Sequence, residues 1–551
     1  MNLHSFSKLK RSRQIATILA KYGLGHLVDQ SRIGFWLRIW KNPEDSQATT
    51  VPERLRLAME ELGPTFIKFG QILSTRPDLL PPAFISEFEK LQDRVAPFDS
   101  KQAKKIVEQE LGKPLDQMFK HFENKPVAAA SLSQVHKATL HDGTIVAVKI
   151  QRPEIRKNIE LDLAISENLA GLLKHSPYNG WNIQPKLLVK EFKRAIEKEI
   201  DFVNEAHNYE KFRVNFKDIE YMKVPKVYWA MTTSKVLVME FIDGVKINEI
   251  TNAKYNGLFD PEKVAKEGAE SVLKQILEDG FFHADPHPAN LLVLAPATIV
   301  MLDVGMTGYL DEKTITGVLK FLQAIIDKNL KQVLLSMGDL GILVEKFDHT
   351  LLCQDLEYML DRYLGVPLKN LRMSEIFQQI LEIMVRHNLT LPPNLVLMIK
   401  ALSTIETTGC ALYPEFDLVS AARPFLKRLL RKKFSPNEIL KRGVLTLKES
   451  MELVEQLPRE LIDIFNKLQE GKLKMNFEHK GMEPLTREIN HASDRISVSL
   501  IIAALIIGSS LVLQQQGIPL IYGYPILGVL GYVLASLIGF ILLISIIKSW
   551  K

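Results

Sequence analysis

Asp285 and Asn290 stand five positions apart in His283-Ala284-Asp285-Pro286-His287-Pro288-Ala289-Asn290, and Asp303-Val304-Gly305 follows a short apolar stretch. Phosphoryl transfer needs this set: one carboxylate near the nucleophile, then an amide and a second carboxylate on a divalent cation. Asp285 is the candidate base or nucleophile-orienting carboxylate. Asn290 and Asp303 are candidate Mg²⁺ ligands, because Mg²⁺ takes oxygen donors. His283 and His287 have the i, i+4 spacing of a helical zinc pair, but Pro286 and Pro288 disfavour a regular helix there. Holding the loop by hydrogen bonds is the better use of both histidines.

Such a loop needs a cation for the phosphates. Ala147-Val148-Lys149-Ile150 places Lys149 in a run of strand formers. Alternation puts Val146, Val148 and Ile150 on one face and Lys149 on the other. A strand lysine is most often an exposed-face residue; beside the Asp285 loop it becomes a candidate phosphate ligand. The preceding Ala128-Ala129-Ala130-Ser131-Leu132-Ser133 occupies the place of a glycine-rich phosphate loop. Alanine tolerates positive φ poorly, so this loop must be stiffer and differently shaped. Ala128, Ala129, Ala130 and Ser131 are its candidate nucleotide contacts. Lys149 also needs a carboxylate partner, and Glu191, Glu197, Glu199, Asp201 and Glu205 are at hand. A solvated acidic face accounts for most of them. Glu199 and Glu205, six apart, cannot share one helical stripe, and at least one is expected to face the cleft.

The elements that position these residues are legible in outline. Residues 1–50 read as basic amphipathic helices with Trp36 and Trp40, and 51–122 as a helical extension punctuated by Pro81-Pro82. His141-Asp142-Gly143 is a hairpin turn between Gln134–Leu140 and Ile145–Gln151. Helices are predicted over about 153–173 and 185–212, and strands over Val224–Tyr228 and Val236–Glu240. After Asp243-Gly244 the chain turns mainly helical. The expectation is an α+β fold of two lobes with a cleft between them. The small lobe spans 123–243, the helical large lobe 244–440, and a helical linker 441–495.

Composition agrees with a globular body: 46% hydrophobic and 24% charged residues in a chain of 551. A net charge of +6, without a basic stripe carrying interleaved aromatics, points away from nucleic acid. Cys353 and Cys410 are far apart, which excludes a disulfide scaffold and suits a reducing compartment.

Residues 496–547 carry two uncharged apolar runs, Ile496–Leu513 and Ile526–Ile547, each of bilayer-spanning length. Arg487 and Arg495 precede the first and Lys548 and Lys551 follow the second, placing both outer ends on the cytoplasmic side. A buried helical hairpin in a soluble core is the alternative. The basic N-terminus carries no small-residue cleavage site. It suits a membrane-surface helix or a mitochondrial transit peptide. Arg423, Lys427, Arg428, Arg431, Lys432 and Lys433 form a basic run that faces either solvent or anionic lipid.

Jointly these residues resemble the UbiB family of atypical kinase-like proteins, linked to ubiquinone biosynthesis. Leu62-Gly63-Pro64-Thr65-Phe66-Ile67-Lys68-Phe69-Gly70-Gln71 looks like its Lys-x-Gly-Gln helix, and Glu199-Ile200-Asp201 like its Glu-x-Asp motif. The alanine-rich loop, the Asp285 loop and the terminal hairpin fit as well. By this resemblance Glu205 is the glutamate that pairs with Lys149, and Lys68, Gln71, Glu199 and Asp201 are supporting site residues. The Lys-x-Gly-Gln helix would fold over the active site and block a peptide groove. Lys68 and Gln71, three apart, would face the nucleotide from one side of it. By position Met239–Gly244 is the hinge, where backbone groups of Glu240 and Ile242 would meet the adenine edge. Val304, where many kinases have Phe, puts a Phe-based switch in doubt.

The resemblance implies ATP/ADP and Mg²⁺ as cofactors. It implies a bacterial protein anchored in the inner membrane by the two-span hairpin, with the kinase-like body in the cytoplasm. Its partners would be membrane lipid, polyprenyl quinone precursors and quinone-biosynthesis enzymes. An ATPase serving lipid handling is the leading expectation. A protein kinase keeps the same core residues, and a nucleotide-responsive lipid scaffold is the third reading.

Overall fold

The structure is a computed structural model. It describes residues 3–24, 50–76, 79–91, 96–172, 176–178, 181–327, 329–342, 348–362, 372–387, 389, 391–433, 483–513, 520–521 and 524–549. The expected helices around Trp36 and Trp40, the Pro77-Asp78 pair and linker residues 441–482 lie outside these. The chain divides into two compact units, Met1–Glu438 and Ile439–Lys551.

The first unit opens with helices α1 (Leu3–Lys21), α2 (Val51–Leu62), α3 (Pro64–Ser74), α4 (Pro82–Phe88) and α5 (Ser100–Leu111). The Thr50 hydroxyl accepts the Glu53 amide to start α2, with Pro52 in the first turn. Gly63, at φ 98°, ends α2 and begins α3, a corner whose backbone only glycine adopts without strain. Ile15, Ile18, Met59, Leu62, Phe66, Leu73, Phe84, Phe88 and Leu91 then share one apolar core with Ile165. Ile165 lies on α6 (Ile155–Leu172). The Arg11 guanidinium reinforces this seam, donating to both carboxylate oxygens of buried Asp162 at 2.7 and 3.0 Å.

Strands β1 (His121–Phe122), β2 (Ala128–Ala129), β3 (Ser133–Thr139) and β4 (Ile145–Gln151) follow. Beyond α7 (Pro185–Glu199), α8 (Phe202–Asn215) and β5 (Met222–Lys223) comes β6 (Val236–Glu240). The antiparallel sheet runs β1–β3–β4–β6, with β2 on β3. Val146, Val148 and Ile150 are fully buried against Ala103 and Val107 of α5. Alternation therefore sends Lys149 to the opposite face.

Two expectations are corrected. Residues 185–212 are not one helix: the chain breaks at Ile200, and Asp201 sits in extended backbone and accepts the Val203 amide, starting α8 afresh. The expected strand Val224–Tyr228 is instead β5 at Met222–Lys223, followed by a single bridge from Val227 to Met239. Pro225 interrupts that segment because it has no N–H to donate.

The remainder of the unit holds β7 (Val245–Lys246), α9 (Pro261–Leu277), β8 (Phe281–His283), β9 (Leu291–Leu294), β10 (Thr298–Met301) and β11 (Thr307–Tyr309). Helices α10 (Glu312–Ile326), α11 (Leu330–Asp339), α12 (His349–Arg362), α13 (Met373–Arg386), α14 (Pro393–Leu412) and α15 (Leu418–Lys433) complete it. A sheet of order β5–β10–β9–β7 and the β8–β11 pair lie amid these helices, so the chain is a mixed α+β fold. Leu273, Ile276, Phe282, Leu395, Val396 and Ile399 belong to the largest core cluster. Of the basic run on α15, Arg423 and Arg428 are exposed, and Arg428 pairs with Glu270 at 3.1 Å.

The second unit shows α16 (Glu483–Leu513) and α17 (Ile526–Ser549). They pack on each other through small residues: a Cβ on Gly531 would lie 2.0 Å from the Ser509 hydroxyl, and Ser510 hydrogen-bonds Tyr532. Among the described residues, Pro393–Leu412 and Ser493–Val512 are helices long and apolar enough to cross a membrane. Over half of the first (56%) is buried inside its own unit, which makes it a core helix, against 6% of the second.

Candidate functional site

Lys149 is the centre of the site. Its Nζ donates to both oxygens of Glu205 at 2.8 Å and lies 3.4 Å from Asp303 Oδ2. The break at Asp201 makes this possible. It turns Glu205, in the first turn of α8, under the sheet, while Glu199 ends α7 and pairs with Lys68 of α3. Burial lowers the pKa of Lys149, but the Asp303 and Glu205 carboxylates outweigh it and hold the ammonium charged. The Phe202 ring flanks the same ammonium at 5.4 Å.

Asp303 follows β10 and Asn290 precedes β9. The register Leu291↔Met301 places both at one end of that hairpin, where the Leu302 amide donates to the Asn290 carbonyl at 2.9 Å. Asp303 Oδ1 accepts the Gly305 amide at 3.0 Å, and half of its side-chain surface stays exposed. Although burial opposes it, Lys149 and the Gly305 amide push its pKa well below the usual carboxylate range. From behind, Tyr209 donates to the Leu302 carbonyl and Asn208 to that of Val304. The oxygen-only donor pair Asn290 and Asp303 suits Mg²⁺. Among the described residues no cluster of three or more His, Cys, Asp or Glu side chains could hold a metal by itself, as zinc would need.

Asp285 sits on the loop between β8 and β9. Its carbonyl accepts the His287 amide at 2.7 Å and the Asn290 side-chain amide at 3.3 Å, and its own amide donates to His283 Nδ1 at 3.2 Å. His287 Nδ1 accepts the Ala289 amide. Each histidine thus holds a turn of the loop, in place of a regular helix. The Asp285 carboxylate pairs with Lys400 of α14 at 3.1 Å. Burial raises its pKa, and Lys400 with His283 brings the net shift below the ordinary carboxylate value.

The alanine-rich segment forms β2 and a turn in which the Ala130 amide donates to the Ser133 carbonyl. Ser131 is buried, whereas Ala128, Ala129 and Ala130 are at least partly accessible. Arg152 clamps the turn, donating to the Ala130 carbonyl at 2.9 Å and to that of Ala96 at 2.9 Å. At the far end of the sheet the Glu240 side chain turns outward to Lys223 at 2.7 Å, and Ile242 is buried with Leu292 and Val300.

The extension reaches the site at two points, Lys68 and Glu89. Lys68 pairs with Glu199 beside the Gly305 backbone. Gln71 donates to the Leu91 carbonyl at 3.2 Å, so it fastens the extension to itself. A Cβ on Gly70 would come within 2.2 Å of Leu91 Cδ1, which explains the glycine between Lys68 and Gln71. Glu89, two residues before Leu91, lies in electrostatic range of Lys400, Asp285 and His287.

The structure therefore brings Lys68, Lys149, Glu199, Glu205, Asp285, Asn290 and Asp303 toward one region, while Gln71 and Asp201 serve the backbone. Lys400, Arg152 and Glu89 were not among the sequence candidates. Lys400 left one readable signal: it is the only charged residue between Pro393 and Ile405. Arg152 and Glu89 left none.

Known proteins place this arrangement in a lineage. The pattern of the ABC1 atypical kinase-like domain matches residues 90–337, the UbiB helical domain 356–417, and the ABC1/UbiB kinase-like C-terminal domain 480–548. An uncharacterised Clostridium pasteurianum protein, encoded in a hydrogenase 1 5' region, is 33% identical and covers 98% of this chain and 99% of its own length. A chloroplast protein of Arabidopsis thaliana, ACTIVITY OF BC1 COMPLEX KINASE 7, is 32% identical over 95% of this chain and 73% of its own. A Xylella fastidiosa protein named "Probable protein kinase UbiB" is 34% identical over 82% of this chain and 84% of its own. With matches that run through the kinase-like, helical and C-terminal segments alike, the chain belongs to the UbiB/ABC1 kinase-like family, whose members are implicated in ubiquinone biosynthesis.

Proposed function

We propose that this protein is a membrane-anchored, Mg²⁺-dependent ATPase with a two-lobed kinase-like body. Its turnover would support ubiquinone or related polyprenyl quinone synthesis by handling lipid precursors or partner enzymes. The observation that carries this reading is the convergence of Lys149, Glu205 and Asp303 beside the Asp285 loop, with the extension fastened across it through Lys68 and Glu199.

In this reading Lys149 holds nucleotide phosphates, oriented by Glu205. Backbone groups of Ala128–Ser131 line the phosphates, and those of Glu240 and Ile242 meet the adenine edge. Asn290 and Asp303 hold Mg²⁺, which neutralises phosphate charge when bound. Asp285 orients a water molecule and accepts its proton. The water oxygen bonds to the γ-phosphorus as the bond to the β,γ-bridging oxygen breaks, and that electron pair leaves on ADP. Lys68 and Glu199 close the side from which a peptide would approach, so water is the favoured acceptor. The apolar hairpin α16–α17 is the anchor, with the kinase-like body on the cytoplasmic side of the inner membrane.

A protein-kinase reading keeps the same core residues and competes on that ground. Phosphotransfer to a protein that disappears with Asp285→Asn would favour it. For the lipid role, lipid extracts of a deletion strain should accumulate an early polyprenylated ring precursor; a wild-type quinone profile would remove that part of the proposal.

A further inference from the structure

Helix α14 is an unusual place for a cation. Leu395, Val396, Met398, Ile399 and Ala401 are buried in the large helical core, and Lys400 stands among them with 22% of its side chain exposed. Its Nζ reaches Asp285 Oδ1 at 3.1 Å. The loop itself brings no cation: no Lys or Arg occurs between Asp279 and Glu312. Lys149 is engaged by Glu205 and Asp303, and Lys68 by Glu199. Backbone hydrogen bonds fix the Asp285 main chain from both sides, but they leave the carboxylate free to turn. Among the described residues, the ion pair with Lys400 is what aims it.

The two partners come from different parts of the chain. Asp285 lies in the kinase-like match and Lys400 in the helical-domain match. Helix α14 packs along α9 and against β11, the strand that pairs with β8 next to the loop. Its position relative to Asp285 is therefore set by the same core that holds the loop.

We propose that Lys400 is a positioning residue for the hydrolytic step: it holds the Asp285 carboxylate toward the nucleophile, so the helical domain completes the catalytic loop. The proposal rests on the ATPase reading above. Without the lysine, the carboxylate rotates among its rotamers and the oriented water is lost, while phosphate and metal binding at Lys149, Asn290 and Asp303 persist. A misaimed group of this kind lowers turnover by up to about a hundredfold.

The test uses the full-length protein in detergent with Mg²⁺ and ATP. Lys400→Met keeps the buried stem and removes the charge. Its kcat should fall by about tenfold to a hundredfold while KM for ATP stays within about twofold. Lys400→Arg should recover most of kcat, since a guanidinium reaches the same carboxylate. In an Asp285→Asn background, Lys400→Met should cost nothing further, because both changes remove one aimed carboxylate. Wild-type kcat in Lys400→Met, a loss that multiplies onto that of Asp285→Asn, or a rise in KM alone would overturn the assignment. Equal turnover in wild type and Asp303→Ala would overturn the ATPase reading, a separate result seen in a separate variant.

Discussion

Lys149, Glu205 and Asp303 form a triangle in which each charge depends on the others. Glu205 is 5% exposed and bonded through both oxygens to Lys149, which also leans on Asp303. Removing the lysine strands a buried carboxylate beside a second one. Lys149→Met should therefore destabilise the body by about 3–5 kcal/mol, and Glu205→Gln by clearly less, because Lys149 keeps Asp303. Urea denaturation of both variants checks the order. A second residue-scale effect is acid sensitivity. Burial pulls the pKa of His136 and His283 below the ordinary 6.5. The unfolded chain therefore binds protons that these two folded histidines refuse, and their contribution to stability is lost as pH drops below about 6.5. Between pH 7.5 and 5.5 the melting temperature of wild type should lose ground to that of His136→Gln. Equal pH slopes in the two proteins would count against a buried neutral His136.

At the scale of elements, the join between α3 and the segment after α4 decides whether the extension stays closed. Gly70 admits the Leu91 side chain, and Gln71 fastens the Leu91 carbonyl. Gly70→Val should overpack this contact, cost about 1–3 kcal/mol and loosen residues 79–91. Hydrogen exchange should show faster exchange there and unchanged protection in β3 and β4. These elements also show what was readable beforehand. The Asp285–Asn290–Asp303 spacing and the β3–β4 hairpin were legible because their partners are close in sequence and their turn chemistry is local. The family resemblance chooses between Glu199 and Glu205, but spacing alone does not, because the choice hangs on a helix break at Ile200–Asp201. The break depends on Asp201 as a cap, and the acidic run hid that cap. The resemblance points Gln71 at the nucleotide, yet its side chain donates to the Leu91 carbonyl. Lys400 was invisible to spacing, since α14 meets the loop only through tertiary packing.

For the whole molecule, the division at residues 438 and 439 separates a body with its own apolar cores from a hairpin whose outer surface is apolar. Leu500, Ile501, Ile507, Leu511, Val533, Leu537 and Phe540 are exposed on α16 and α17, a pattern that favours lipid over water. A fragment ending at residue 438 should fold cooperatively and stay in the soluble fraction, whereas the full chain should sediment with membranes and resist salt extraction. Membrane retention of the fragment would shift the anchor to the kinase-like body. Hydrolysis of nucleotide by the assembled site is the property on which the other roles depend. Purified full-length protein should release phosphate from ATP only with Mg²⁺, and Asp303→Ala should abolish that release in protein that still folds. Equal phosphate release from wild type and Asp303→Ala, or release that ignores Mg²⁺, would contradict it.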